Sequence, residues 1–142
     1  RSPSRGLGDV YKRQAPGRRI RLCKGSYTGP RSVTLIRPHD VDLRMAACLR
    51  ALMTGPSTVM LASHDPVFVA LGEQLMASLD RQLEFQMLQG IRPLEQRRLV
   101  DIGHRMRVYL PYGHDWYRYC TRRIVERPGN IWLFGRSLVE RR

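Results

Sequence analysis

The alternation of short apolar segments with amphipathic segments constrains this chain more than any other feature of its sequence. Strands are predicted at 20–23, 58–62, 83–88 and 106–110. Helices are predicted at about 40–53, 66–79, 94–102 and 115–127. Each predicted strand is therefore followed by a predicted helix. Four consecutive units of this kind predict an α/β fold in which helices cover a parallel sheet.

Spacing and terminal residues identify the helical segments. In the first segment, apolar side chains recur at three- and four-residue steps, which is the period of one helix face. They are Val41, Met45, Cys48, Leu49 and Leu52. The second segment begins after Asp65, an N-cap residue, with Pro66 at the first helical position.

Two architectures accommodate four such units, an open doubly wound sheet and half of an eight-unit barrel. No glycine-rich nucleotide fingerprint follows any predicted strand, which weakens the first architecture. A complete barrel takes about 250 residues. The 142 residues of this chain therefore suffice for about half of one.

The first eighteen residues bear on the domain boundary, and the positive net charge bears on the class of partner. Residues 1–18 show neither a strand period nor a helix period, and we expect a flexible or foreign leader there, with the domain at 19–142. The chain carries 25 Lys and Arg against 12 Asp and Glu, a net charge of +13. Six of these basic residues and one acid lie in residues 1–19. The charge leaves a basic nucleic-acid-binding module as an alternative, although the other arginines are spread along every predicted helix.

Several protein classes are disfavoured by the sequence. No apolar run approaches the roughly 18 residues of a membrane span, and no segment has the organisation of a secretory signal. The three cysteines, Cys23, Cys48 and Cys120, are odd in number and far apart, which favours a reducing compartment. His64 has no second His or Cys at metal-ligand spacing, so we expect no metal site.

Polar side chains interrupt or follow the predicted strands. A buried parallel strand is usually a nearly continuous apolar run. The exceptions here are Arg21 and Lys24 at the first strand, Ser63, His64 and Asp65 after the second, Glu84 and Gln86 in the third, and Tyr109, Tyr112 and His114 around the fourth. Ligands bind at the carboxyl ends of parallel strands, so these residues predict a shared polar cavity. The alternative is that they lie at strand ends, where they are solvated or paired.

The last predicted helix carries a polar face. Tyr119, Arg122, Arg123 and Glu126 stand at positions i, i+3, i+4 and i+7 and so share that face. Adjacent guanidinium groups suit a carboxylate or a phosphate, and a nearby carboxylate can hold one of them in place. The alternative is an exposed face of ion pairs.

Five stretches, in order, resemble the proline dehydrogenase family. They are RLCKGSY at 21–27, LASHD at 61–65, EFQML at 84–88, RVYLPYG at 107–113 and YCTRRIVERP at 119–128. The resemblance runs from about residue 19 to the last residue and is strongest to the bacterial monofunctional enzymes. It implies a distorted (β/α)8 barrel of the TIM type that binds FAD without a covalent link. The stretches correspond to strands five to eight, so the chain resembles the C-terminal half of that barrel.

The family resemblance also implies an activity. Members oxidise L-proline to 1-pyrroline-5-carboxylate, the first step of proline degradation to glutamate, by hydride transfer to flavin N5. A quinone accepts the electrons. The resemblance implies a cytoplasmic location, with peripheral contact at the inner membrane face as an option, and no nucleic-acid partner. The isolated chain is expected to be incomplete, and a non-catalytic half-barrel that needs a partner half is the other alternative.

Site residues carry over from the family by position. The resemblance assigns cofactor contacts to Arg21, Lys24, Gly25, Ser26, Ser63 and His64. It assigns substrate contacts to Leu88, Tyr109, Tyr119, Arg122, Arg123 and Glu126, with the two arginines on the proline carboxylate. Arg21 and Tyr109 are the residues it implicates in catalysis. The sequence departs from the usual family pattern at three positions. Ser26 stands where the family commonly has alanine, Ser63 where it has threonine, and Asp65 where it often has asparagine.

Overall fold

A computed structural model of the chain describes residues 14–24, 35, 37–110 and 112–113. It contains four strands and three helices within these ranges. In chain order they are β1 (Arg19–Cys23), α1 (Pro38–Thr54), β2 (Thr58–Ala62), α2 (Pro66–Leu79), β3 (Leu83–Leu88), α3 (Pro93–Asp101) and β4 (Arg105–Tyr109). The helix predicted at 115–127 lies outside the described residues.

The four strands form one parallel sheet in the order β1-β2-β3-β4. The β1–β2 register runs from Arg19 opposite Thr58 to Cys23 opposite Ala62. Strands that follow each other along the chain are thus neighbours in the sheet. The predicted α/β class with a parallel sheet is confirmed, whereas the barrel stays a prediction.

The chain divides into two compact units, Arg1–Phe85 and Gln86–Arg142, and the division falls within β3. The first unit has its core between helices and sheet. Leu49, Leu52, Met53, Val59, Leu61 and Phe85 are fully buried there. Gly72 of α2 lets this helix approach the sheet closely, because a Cβ at this position would stand 3.1 Å from Phe85 Cε1 and 3.3 Å from Leu61 Cδ2.

The second unit has a smaller described core. Met87 and Leu99 are fully buried, and Ile91 is 3% exposed. The side-chain amide of Gln96 in α3 donates to the carbonyl oxygens of Leu88 at 3.1 Å and Ile91 at 2.7 Å. This amide therefore ties the end of β3 to the first turns of α3.

Proline begins all three described helices. Asp65 caps α2 by accepting a hydrogen bond from the Val67 N–H at 3.0 Å, as the sequence predicts. Helix α1 begins at Pro38 rather than near residue 40, and α3 begins at Pro93 rather than 94. Proline suits the first helical position because its fixed φ is helical and the N–H it lacks would have no partner there.

The C-terminus of α1 is closed by a side chain from further along the chain, within the same compact unit. Arg81 follows α2, and its guanidinium donates to the carbonyl oxygens of Met53 at 2.8 Å, Ser57 at 2.9 Å and Gly55. The last carbonyls of a helix have no partner within the helix. Arg81 supplies one and fixes the path of the chain from α1 into β2.

Residues 14–18 of the predicted leader are described, and two of them contact the end of α1 and the segment after it. Gln14 donates its side-chain amide to the Ala51 carbonyl at 3.0 Å, and the Ala15 N–H donates to Ser57 Oγ at 3.1 Å. The boundary between leader and domain stays a prediction. Among the described residues, no helix has the length and apolar character needed to cross a bilayer.

Candidate functional site

The first component of the site is the sheet face that the helices leave uncovered. In β1, Arg19, Arg21 and Cys23 are exposed, while Ile20 and Leu22 are partly buried. Ile20 and Leu22 pair in register with Val59 and Leu61, which are fully buried. Side chains alternate between the two faces of a strand. Arg21, the middle residue of β1, therefore lies on the face opposite α2.

Glu84 extends this face to β3. Its neighbours in sequence, Leu83 and Phe85, contact the position of Gly72 in α2, so Glu84 lies on the other side of the sheet. Arg19 Nη2 and Glu84 Oε2 are 3.0 Å apart, and the ion pair crosses β2 between them. The Glu84 side chain is 12% exposed. In the first unit, the uncovered face is thus charged on both β1 and β3. Because Arg21 is exposed and Glu84 is paired with Arg19, the alternative of solvated or paired residues stands beside the predicted cavity.

Lys24, directly after β1, is held by acids from two helices. Its Nζ forms ion pairs with Asp42 Oδ1 of α1 and, at 3.4 Å, with Asp65 Oδ2 at the start of α2. The same Nζ stands 5.2 Å from the centre of the Phe68 ring, a cation–π distance. The predicted position of Lys24 at a polar strand end is therefore correct, and its partners are defined.

Ser63 and His64 follow β2. Ser63 is 9% exposed, and its Oγ accepts a hydrogen bond from the Asp65 N–H at 3.1 Å. His64 is partly buried and has interactions of its own. The Ser63 hydroxyl retains a donor hydrogen, because the contact with Asp65 uses one of its lone pairs. The end of β2 thus presents a hydroxyl and an imidazole beside a helix N-terminus.

In the second unit, Leu88 and Tyr109 end adjacent strands. Leu88 is 6% exposed and Tyr109 is partly buried. The Gln89 N–H donates to the Tyr109 carbonyl oxygen at 2.8 Å, which joins the two strand ends. Gln86, whose polarity stood out in the sequence, is buried at 6% exposure in β3 and has interactions of its own.

Half of the predicted site residues lie outside the described part of the chain. They are Gly25, Ser26, Tyr119, Arg122, Arg123 and Glu126. Their roles as cofactor and substrate contacts stay predictions. The described residues hold no group of three or more His, Cys, Asp or Glu side chains placed to bind a metal ion.

Sequence reasoning missed Asp42, the acid in contact with Lys24. The two residues are far apart along the chain, and no local motif joins them. Strand ends and the starts of the following helices meet at one edge of a parallel sheet. An acid in the first turns of α1 was therefore the available signal.

The described donors fit an anionic cofactor in chemical type. Phosphate groups bind to ammonium groups, hydroxyls and the N-termini of helices, and Lys24, Ser63 and the start of α2 supply one of each. Asp42 and Asp65 already neutralise Lys24, so a phosphate at this position meets carboxylates as well as the ammonium. The described donors therefore fit a phosphate in chemical type, while the two carboxylates compete with the phosphate for Lys24.

Comparison with known proteins gives one consistent family. A family model described as "Proline dehydrogenase" matches residues 12–130. The chain is 38% identical to Proline dehydrogenase 1 of Bacillus subtilis (strain 168) over 140 residues, which cover 96% of this chain and 46% of that protein. It is 39% identical to Proline dehydrogenase 2 of the same strain over 115 residues, 79% of this chain and 38% of that protein. It is 35% identical to Proline dehydrogenase of Deinococcus radiodurans over 136 residues, 89% of this chain and 42% of that protein. The chain spans less than half the length of these curated relatives.

Proposed function

Since this chain belongs to the proline dehydrogenase family, we propose that it takes part in the FAD-dependent oxidation of L-proline to 1-pyrroline-5-carboxylate. The names of the relatives supply the substrate, and the resemblance supplies the cofactor. The chain contributes strands five to eight of a distorted (β/α)8 barrel. The sequential strand order supports this assignment, because an open doubly wound sheet reverses its order at a switch point, whereas barrel strands follow one another.

One observation carries the proposal. Arg21 stands in the middle of β1 on the face away from α2, and Glu84 extends the charged character of that face to β3. In a barrel, the face away from the helices points to the interior. Charged side chains there line a polar site instead of packing a purely apolar core.

The first unit binds the cofactor in this proposal. Lys24 and Ser63 contact its anionic and polar parts, His64 lies beside the start of α2, and Gly25 and Ser26 add contacts outside the described residues. Bound FAD would supply an acceptor for the hydride that leaves the proline ring carbon next to the nitrogen. Arg21 would lie beside the flavin and orient it through its planar, permanently charged guanidinium group.

The second unit binds the substrate. Leu88 and Tyr109 line the proline site, and the hydrogen bond between Gln89 and Tyr109 holds their strand ends together. Tyr119 packs on the substrate ring. Arg122 and Arg123 bind the carboxylate of proline through their donor forks, and Glu126 orients one of them. These residues orient the ring carbon, which is the main contribution a protein makes when a cofactor performs the redox chemistry.

The electron acceptor in this proposal is a quinone. The protein acts in the cytoplasm, with peripheral contact at the inner membrane face as the alternative. The rival within the same fold is a half-barrel that acts only with a partner half. Gel filtration with detection of flavin absorbance separates the two, because a half-barrel of this kind elutes with flavin only when its partner is present.

The proposal is tested with the full-length protein that carries this sequence. We expect bound flavin in its absorbance spectrum and proline-dependent reduction of a dye. Arg21→Gln is expected to abolish most of the dye reduction, whereas Arg50→Gln, an exposed arginine of α1, is expected to leave it unchanged. Absence of both flavin and proline-dependent reduction would overturn the proposal.

A further inference from the structure

Lys24 is enclosed by groups from three directions. It is one of two lysines in the chain, the other being Lys12. Its Nζ contacts the carboxylates of Asp42 and Asp65 and stands over the ring of Phe68, which is 3% exposed. A flexible lysine side chain loses much rotamer freedom when it is held in this way. Its position is therefore fixed by its partners and not by its own stem.

The two carboxylates are not equivalent. Asp42 makes the shorter contact with Nζ, from the first turns of α1. Asp65 makes the longer contact, at 3.4 Å, through Oδ2. Asp65 Oδ1 is already engaged as the N-cap of α2, because it accepts from the Val67 N–H at 3.0 Å. Of these two oxygens, Asp65 Oδ2 accepts a hydrogen bond from Nζ, whereas Asp42 Oδ1 has no hydrogen-bond partner within the described part of the chain and pairs with Nζ through charge alone.

The balance of charge matters for an anionic ligand. One ammonium faces two carboxylates, so the three side chains together carry a negative charge near neutral pH. Their side-chain exposures are 20%, 41% and 34% for Lys24, Asp42 and Asp65, so water screens the pairs only in part. A phosphate that binds Lys24 therefore competes with the carboxylate that holds it less closely.

We propose that Asp42 and Asp65 are positioning residues for Lys24, and that Asp65 also lowers the affinity of this position for an anionic cofactor. The cofactor half of this inference rests on the proposed function, while the positioning half rests on the described contacts alone. Asn at position 65 keeps the N-cap, since asparagine and aspartate cap helices equally well, and it removes the competing charge. Asp65→Asn is therefore the diagnostic variant.

The positioning half is tested without any cofactor. The full-length protein is treated briefly with an amine-reactive acylating reagent, and labelling of Lys24 is measured by peptide mass spectrometry. Asp42→Asn and Asp65→Asn are each expected to raise labelling, and Asp101→Asn, at an exposed acid at the end of α3, is expected to leave it unchanged. Increases of up to about fivefold correspond to losing an exposed ion pair. Equal Lys24 labelling in all four proteins would overturn the positioning role.

The cofactor half is tested by titrating the same four proteins with riboflavin, FMN and FAD and following flavin fluorescence. These ligands carry no phosphate, one phosphate and two phosphates. Asp65→Asn is expected to bind FAD up to about fivefold more tightly at low salt, with riboflavin affinity unchanged and the gain smaller at high salt. If Asp65 acted only through the local structure, Asp65→Asn would instead change the affinities for all three flavins alike.

The two failures are distinguishable. If Asp65→Asn binds FAD no more tightly than the unchanged protein while flavin still binds, the competition is refuted and the proposed function stands. If no variant binds any flavin, the proposed function fails together with the cofactor half, and the labelling still decides whether the two acids position Lys24. Circular dichroism identifies a variant that does not fold. Should Asp42→Asn be one, Asp65→Asn with its intact cap decides the labelling.

Discussion

Replacing Arg81 tests whether the segment between α1 and β2 depends on one guanidinium. Arg81→Met keeps most of the aliphatic stem and removes every donor. The carbonyl oxygens of Met53, Gly55 and Ser57 then lose the donor they share. The expected result is a loss of folding stability with the element order unchanged.

The magnitude follows from the contacts. A hydrogen bond to a charged group contributes about 1.5–3 kcal/mol. Arg81 serves three acceptors, but they share one guanidinium, and water can replace part of it at a site that is only partly buried. A cation at a helix C-terminus adds about 0.3–1 kcal/mol. We expect Arg81→Met to lower the free energy of unfolding by about 2–4 kcal/mol.

Urea unfolding followed by circular dichroism measures this loss. With an m value of about 2 kcal/mol per molar urea, the middle of the usual range, the midpoint falls by about 1–2 M at constant m. Hydrogen exchange locates the effect, and the amides of the last turn of α1 are expected to lose protection. Arg81→Lys keeps the charge without the planar fork and is expected to lie between the other two proteins.

The matched control is Arg97→Met, which removes an exposed arginine of α3. Surface substitutions of this kind usually change stability by less than about 0.5 kcal/mol. If Arg81→Met and Arg97→Met have the same midpoint, the guanidinium does not stabilise the end of α1. If Arg81→Lys equals the unchanged protein, charge alone is sufficient and the fork geometry is irrelevant.

Two further changes test the packing of α2 and the acid dependence of α3. Gly72→Val is expected to lower the free energy of unfolding by about 1–3 kcal/mol, because even a Cβ would stand 3.1 Å from Phe85 Cε1. The control is Ala77→Val on the exposed face of α2, which is expected to lower the free energy of unfolding far less in the same urea titration. The hydrogen bond from Arg98, at 2.7 Å, is the main cause that holds the pKa of Glu95 below its usual value. The stabilisation that this hydrogen bond gives the folded protein is complete above the ordinary carboxyl pKa of about 4.3. It is lost as the pH falls through the lower pKa of the folded protein. Glu95→Gln is therefore expected to destabilise slightly at pH 6 and to have no effect near pH 2, and an equal difference at both pH values would contradict the assignment.

Elements whose signals are local were predictable to the residue. The bounds predicted for β2, β3 and α2 match the structure, because a glycine, a proline or an N-cap aspartate lies at or within two residues of one end of each. The start of α1 was misplaced because Pro38 was assigned to the loop before the helix. The same position in α2 was predicted correctly, since Asp65 marks the N-cap, whereas Arg37 before α1 offers no side-chain cap.

Site residues were predictable by position and not by partner. Arg21, Lys24 and Ser63 stood out because polar residues are unusual in or directly after a buried parallel strand. The acid that contacts Lys24 and the arginine that contacts the end of α1 were not predictable from the sequence. Asp42 and Arg81 meet their partners only through tertiary structure, and Arg81 lies 28 residues from Met53. Alternating hydrophobicity reports which face of an element is buried and contains no information on which charges face each other.

The sequential strand order also affects how the chain folds. Each hydrogen-bonded strand pair is separated along the chain by a single crossover helix, so no pairing among the described strands waits for a distant segment. Such a topology has a low contact order for a parallel sheet, and loop closure stays inexpensive at every step. Strand β1 can pair with β2 as soon as β2 has emerged from the ribosome, and β3 can then add to an existing edge. The sheet can therefore grow one strand at a time during synthesis, in the direction in which the chain is made.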